Sequence, residues 1–191
     1  LAGRALYSWR LLTVDGEPAT SSSGMSVAAH GALSGQSGDM LIAMPSYEFA
    51  RHANETTRRA LRAAAGRYAV LAGFDTGSWL LADAGLLDRR RATIHWEELE
   101  RFGEAFPDVQ TERVRFVEDQ DRVTCSGAQA AFDVMSHRIG ARHGQALRLE
   151  LATLFMSPDE GTPQRFRRAQ RLSYQTTAWA QLAELLPGDR A

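Results

Sequence analysis

A chain of 191 residues with 44% hydrophobic side chains can bury one sizeable core and is marginal for two. Its formal net charge of -1 gives no overall attraction to nucleic acid or to an anionic membrane, and no apolar run approaches the length of a bilayer span. One cysteine, Cys125, excludes an internal disulfide and reads as a reducing, cytoplasmic setting with no secretory leader; all 22 basic residues are arginine, a compositional bias with no physical consequence drawn from it.

Residues 5–14 (ALYSWRLLTV) alternate Leu6, Trp9 and Leu11 with polar partners and end at Asp15-Gly16, a strand closing in a turn. Residues 17–24 are a loop by composition, 25–29 a short edge strand, and 39–44 (DMLIAM) a compact apolar strand stopped by Pro45. Residues 56–65 predict an amphipathic helix carrying Arg58, Arg59 and Arg62 outward and ended by Gly66. Residues 68–72 (YAVLA) are apolar without alternation, the pattern of a strand covered on both faces. A helix over 77–87, a strand over 92–96 and a helix over 97–106 follow. Short strands at 109–111, 114–117 and 122–125 come next, then a long helix through Ile139 capped by Ser126, and a last helix over 145–156. Residues 1–157 read as one domain and 158–191 as linker and tail. This succession is the grammar of a doubly wound α/β fold, a mostly parallel sheet with helices on both faces.

The informative junction is Gly73-Phe74-Asp75-Thr76-Gly77, between the strand at 68–72 and the helix at 77–87. Two glycines around a polar residue at a strand-to-helix junction describe an elbow. The backbone approaches its neighbours closely there, takes strained dihedrals and throws the middle side chain up at the helix N-terminus. In open parallel sheets the ligand crevice lies beyond the carboxyl ends of the strands, so Asp75 is expected to share one crevice with His95, at the end of the strand over 92–96. A carboxylate held ionised by helix amides, beside aromatic faces from Phe74, Trp96 and Tyr47, would hold a cation, and His95 would donate to a ligand carboxylate. Blander readings compete: Asp75 as a simple N-cap, His95 as a hydrogen-bonded structural histidine, Cys125 packed near the crevice floor, and residues 89–91 as a solvated arginine turn. The remaining histidines, His30, His52, His137 and His143, lack metal-ligand spacing, so neither metal nor cofactor is expected.

Residues 73–96 (GFDTGSWLLADAGLLDRRRATIHW), 102–109 (FGEAFPDV), 121–135 (DRVTCSGAQAAFDVM) and 141–147 (ARHGQAL) together resemble the ligand-sensing domain of AraC-family transcription regulators of the GlxA type. The fold of that domain is the one of PfpI and class I glutamine-amidotransferase-like proteins. The subgroup most resembled senses small cationic metabolites such as glycine betaine, carnitine or arginine. The resemblance implies a homodimer without membrane attachment, whose sensor precedes a C-terminal helix-turn-helix pair on promoter DNA, outside this chain. The superfamily's enzymes place a cysteine nucleophile at the elbow and a Gly-Gly turn after the preceding strand. Here Asp75 and Met44-Pro45-Ser46-Tyr47 stand in those places, and Pro45 has no N–H to offer an oxyanion. The family's first strand and buried glutamate are expected before Leu1, so the chain reads as part of a longer polypeptide.

The resulting expectation is a non-catalytic sensor whose effector meets Asp75, Phe74, Thr76, His95, Trp96, Tyr47, Ser46 and Cys125. Two enzymatic alternatives stand beside it. One is a hydrolase with Asp75 as nucleophile, which needs a histidine downstream of His143 that the sequence lacks; the other is a hydratase or amidase with Asp75 as general base beside His95.

Overall fold

A computed structural model describes residues 5–155. The elements in chain order are β1 (Leu12–Thr13), β2 (Ala19–Thr20), β3 (Ser26–Val27), β4 (Gly31–Ala32), β5 (Gly38–Ala43), a 3-10 turn (Phe49–His52), α1 (Glu55–Ala65), β6 (Tyr68–Phe74), α2 (Gly77–Asp83), β7 (Arg91–Ala92), α3 (Leu99–Ala105), β8 (Gln110–Thr111), β9 (Phe116–Asp119), β10 (Arg122–Cys125), α4 (Ala128–His143) and α5 (Gln145–Leu154). The main sheet has the order β5-β6-β10-β9, with β5, β6 and β10 parallel and β9 antiparallel to β10 across a two-residue turn in which Gln120 is left-handed (φ 57°).

The C-terminal half of β6, residues 71–74, is buried on both faces, which is why its sequence carries no alternation. Leu71 faces one core with Leu61 and Ala64 of α1, Leu80 and Leu81 of α2 and Phe102 of α3. Its neighbours Ala72 and Phe74 face the other, with Val123 and Cys125 of β10 and Ala130 and Val134 of α4. The sheet thus separates two hydrophobic layers, and the doubly wound α/β arrangement follows from that division.

Helix α1 starts at Glu55, one residue ahead of the start expected from the apolar spacing, because Asn54 caps it by accepting a hydrogen bond from the Thr57 N–H (3.0 Å). Of the arginines expected to point outward, Arg58 bonds Asp83 of α2 (3.0 Å) and Arg62 donates to the Ala84 carbonyl (2.8 Å), so both tie α1 to α2. Helix α2 ends earlier than the spacing of Leu80, Ala84 and Leu87 implies. Gly85 turns left-handed (φ 70°) and the Leu86 N–H closes on the Leu81 carbonyl (2.9 Å), while Leu87 stays fully buried beyond the helix end.

Three further expectations are corrected. Residues 5–14 contribute only the two-residue β1, paired in parallel with β4 apart from the main sheet. The strand expected over 92–96 is only β7, paired with β8 and not with β6 or β10. Ser126 does not cap α4: the N-cap residue is Gly127, with φ 147°, a backbone that side-chain-bearing residues rarely adopt. At residues 89–91, where Arg89 and Arg91 are exposed as expected of a solvated turn, Arg90 pairs with Asp121 and Arg91 with Glu112. Among the described residues no helix is long and apolar enough to cross a membrane. The expected tail, residues 158–191, lies outside the described residues.

Candidate functional site

Asp75 is built as an elbow. Its φ of 58° is left-handed, a conformation that aspartate tolerates better than most residues with a side chain. Its N–H donates to the Cys125 carbonyl at the end of β10 (3.0 Å), and its own carbonyl accepts from the His95 N–H (3.2 Å). The flanking glycines are there for space, not for their dihedrals. A Cβ on Gly73 would stand 2.6 Å from the Ser78 nitrogen, and one on Gly77 only 1.9 Å from the Ala43 carbonyl oxygen of β5.

Buried hydroxyls hang residues 93–95 beside the elbow. Ser78 of α2 donates to the Thr93 carbonyl (2.7 Å), the Thr93 N–H donates to the Thr124 hydroxyl of β10 (2.9 Å), and the Thr93 hydroxyl donates to the Val114 carbonyl (3.0 Å). These side-chain bonds take the place of a sheet ladder, so residues 93–95 are fixed without being a strand. Sequence periodicity carries no signal for such bonds, which is why the strand was expected. On the other side, the Thr76 hydroxyl reaches the Pro45 and Ser46 carbonyls (both 3.0 Å), and the Ser46 hydroxyl makes a long hydrogen bond to Asp75 Oδ2 (3.4 Å).

Asp75, Ser46 and His95 therefore meet at the carboxyl ends of β5, β6 and β10, where a ligand crevice belongs in a parallel sheet. His95 borders Gly127 at the start of α4: a Cβ built there would be 3.6 Å from His95 Cδ2. Trp96 is 44% exposed and its ring tilts against the His95 ring at 5.7 Å. Tyr47 is 79% exposed, so the loop that brings Ser46 in leaves its neighbour in solvent.

Phe74 is 7% exposed inside the core layer under α4, which withdraws its ring from the expected aromatic wall. Thr76 is buried with its hydroxyl engaged by the loop carbonyls, so it positions the loop. Cys125 is fully buried, and burial pushes its thiol up to about 11, leaving it protonated and unreactive at neutral pH. A large groove lined by Ser46, Tyr47, Met40 and Met135 runs past β5 and includes neither Asp75 nor His95; the elbow is the place where the polar chemistry converges. Glu97 is not among the site residues expected from the sequence, which places it at the start of a helix; its Oε2 lies 3.8 Å from His95 Nδ1 because α3 begins only at Leu99.

The Asp75 carboxylate is not held ionised by helix amides as expected. Thr76 is the N-cap residue of α2 and no side chain caps that helix. Burial raises the Asp75 carboxyl above the ordinary carboxylate value; His95 and the Ser46 hydroxyl pull it back, and the negative charge of Glu97 adds to the rise. Folding thus favours the protonated group. Its contribution to stability is present below the unfolded value, roughly 3.9, and is lost as pH rises through the higher folded value, so at neutral pH ionised Asp75 is a cost. Asp75→Asn is expected to raise the melting temperature at pH 7, by an amount that shrinks as pH falls towards 3; thermal scans across that range check this, and an unchanged or lower value at pH 7 contradicts it. Among the described residues no group of three or more histidine, cysteine or acidic side chains could hold a metal ion.

An open α/β sheet with an elbow at its carboxyl edge is a fold shared with ThiJ/PfpI proteins. A ThiJ/PfpI family protein from Pseudomonas syringae superposes with a TM-score of 0.70 at 20% identity, over 92% of this chain and 72% of that one. An AraC family transcriptional regulator from Pseudomonas putida superposes with a TM-score of 0.63 at 22% identity, over 78% and 82%. In sequence, the chain is 38% identical over 152 residues to the HTH-type transcriptional regulator CdhR of Pseudomonas aeruginosa, covering 79% of this chain and 45% of CdhR. It is 34% identical over 179 residues to the HTH-type transcriptional regulator GlxA of Rhizobium meliloti, covering 90% of this chain and 54% of GlxA. No family model matches the chain. The chain is similar to these GlxA-type HTH transcriptional regulators, and it spans about half the length of the curated relatives it matches.

Proposed function

We propose that this chain is the effector-sensing domain of a cytoplasmic transcription regulator and that a small cationic or zwitterionic metabolite of the betaine, carnitine or arginine kind binds at Asp75. The observation that carries the reading is a half-buried carboxylate at the tip of a left-handed elbow, beside His95 and Ser46. Burial makes the ionised form unfavourable, and a cation brought by a ligand offsets that cost, so binding energy is concentrated on one charge. Trp96 offers a partly exposed aromatic face next to His95, where a cation–π contact contributes on the order of 0.5–2 kcal/mol. The elbow presents no thiol, and the buried, protonated Cys125 cannot replace one, which supports a binding site over the cysteine chemistry of the PfpI enzymes. Binding would bias the arrangement of two copies and, through it, a DNA-binding domain outside this chain.

Isothermal calorimetry with glycine betaine, carnitine and arginine tests the proposal. At least one is expected to bind, with Asp75→Asn weakening it about tenfold or more, equal to about 1.4 kcal/mol. Binding that Asp75→Asn leaves unchanged would reject Asp75 as the anchor, and turnover of an amide or halide substrate in place of binding would reject the sensor reading.

A further inference from the structure

Thr76 stands where a threonine ordinarily caps its own helix, yet no side chain caps α2. Its hydroxyl donates instead to the Pro45 and Ser46 carbonyls, both at 3.0 Å, one hydrogen shared between two acceptors. Packing sets this reach. Gly77, bare of a side chain, lets the start of α2 close on the Ala43 carbonyl at the end of β5, which brings Thr76 to the loop that leaves that strand. In that loop Pro45 has no N–H, Met44 and Tyr47 are exposed, and the next buried side chain is Phe49, against Trp79 (5.3 Å). Thr76 thus supplies a hold between β5 and Phe49. Two adjacent residues work on one loop: Thr76 grips residues 45 and 46, and Asp75 receives the Ser46 hydroxyl on Oδ2 (3.4 Å).

We infer that Thr76 is a positioning residue of this site and not an effector contact: it holds Ser46 against Asp75 and so keeps the anchor carboxylate ready for a cation. The inference rests on the reading of Asp75 as the cation anchor. Burial raises the Asp75 carboxyl; His95 and then the Ser46 hydroxyl pull it back, and Glu97 adds to the rise. Cys125 of β10, which feels both Asp75 and Asp133 of α4, is a neutral thiol. His95 is fixed by its own N–H on the Asp75 carbonyl (3.2 Å) and Cys125 lies in a strand, so neither moves with the loop. Without the grip of Thr76, Ser46 swings clear and the Asp75 carboxyl keeps its proton to a higher pH. A protonated Asp75 offers a cation no charge.

The test combines carbon-13 titration of the Asp75 carboxyl in the full chain with calorimetry of glycine betaine, carnitine and arginine. The proteins are the wild type, Thr76→Val, Thr76→Ser, Ser46→Ala, the Ser46→Ala/Thr76→Val double variant and Asp75→Asn. Thr76→Val keeps the side-chain shape and removes the hydroxyl. It and Ser46→Ala are expected to raise the Asp75 midpoint alike, the double variant to raise it no further than Ser46→Ala, and Thr76→Ser to titrate as the wild type. At the pH where wild-type Asp75 is half titrated, both single variants weaken a bound probe about two- to fivefold, with less effect near about pH 8, where the carboxyl is ionised in each. His95 and Glu97 are present in every variant, so the differences do not come from them. A midpoint that does not rise in Thr76→Val or Ser46→Ala, one that rises in Thr76→Ser as well, a double variant that exceeds Ser46→Ala, or a Thr76→Val chain that does not fold overturns the role of Thr76; the anchor stands as long as Asp75→Asn still weakens binding. Absence of binding by all three probes, or binding indifferent to Asp75→Asn, overturns the anchor and the inference with it.

Discussion

Gly77→Ala is expected to abolish stable folding, or to destabilise the domain by at least about 3 kcal/mol, the upper end of overpacking costs. The added methyl would stand 1.9 Å from the Ala43 carbonyl oxygen, which is backbone of β5 and cannot rotate away, so α2 or β5 must shift as a unit. That shift would open the elbow itself, since α2 also carries Ser78, the donor to Thr93. Urea denaturation of the variant beside the wild type is the check. A variant within about 1 kcal/mol of the wild type would mean that the packing of α2 on β5 is looser than described.

Phe102→Ala is the other large effect, with an expected loss of about 3–5 kcal/mol. Phe102 is fully buried on α3 and its ring lies 6.1 Å from Trp79 and 5.3 Å from Phe106, centroid to centroid. Removing it leaves a cavity beside Trp79 and Phe106, and Trp79 is also held in place by Phe49 and by Arg101 over its ring (4.8 Å). The midpoint of denaturation should fall, and Trp79 fluorescence should change in the folded state. A loss below about 1 kcal/mol would contradict a core centred on this aromatic group.

Much of the frame was legible in the sequence because the hydrophobic effect writes it there. The unbroken apolar run over 68–72, the apolar β5 and the amphipathic α1 each report which face is buried, and each element stands within a residue or two of its expected place. The elbow was legible from its two glycines, whose reason is close packing, and from the polar residue between them. The structure then places Asp75 in the left-handed conformation. The segment around His95 was misread because its order comes from Ser78, Thr93 and Thr124, three hydroxyls distant in sequence that leave no periodic trace. Phe74 was misassigned for a related reason. An aromatic next to a site residue in sequence lies on the opposite side of a strand, here in the core under α4. The ionisation of Asp75 was misjudged because its proximity to a helix start was taken for capping, whereas burial dominates.

The central claim is that the carboxylate at position 75 is the anchor for a positively charged effector. The most direct measurement is the carboxyl carbon-13 resonance of Asp75, assigned by comparison with Asp75→Asn and followed by NMR near neutral pH while a bound betaine-, carnitine- or arginine-type ligand is titrated in. The account predicts a saturable shift of that resonance, with its midpoint at the calorimetric Kd. A ligand that binds while the Asp75 carboxyl resonance stays in place would contradict it.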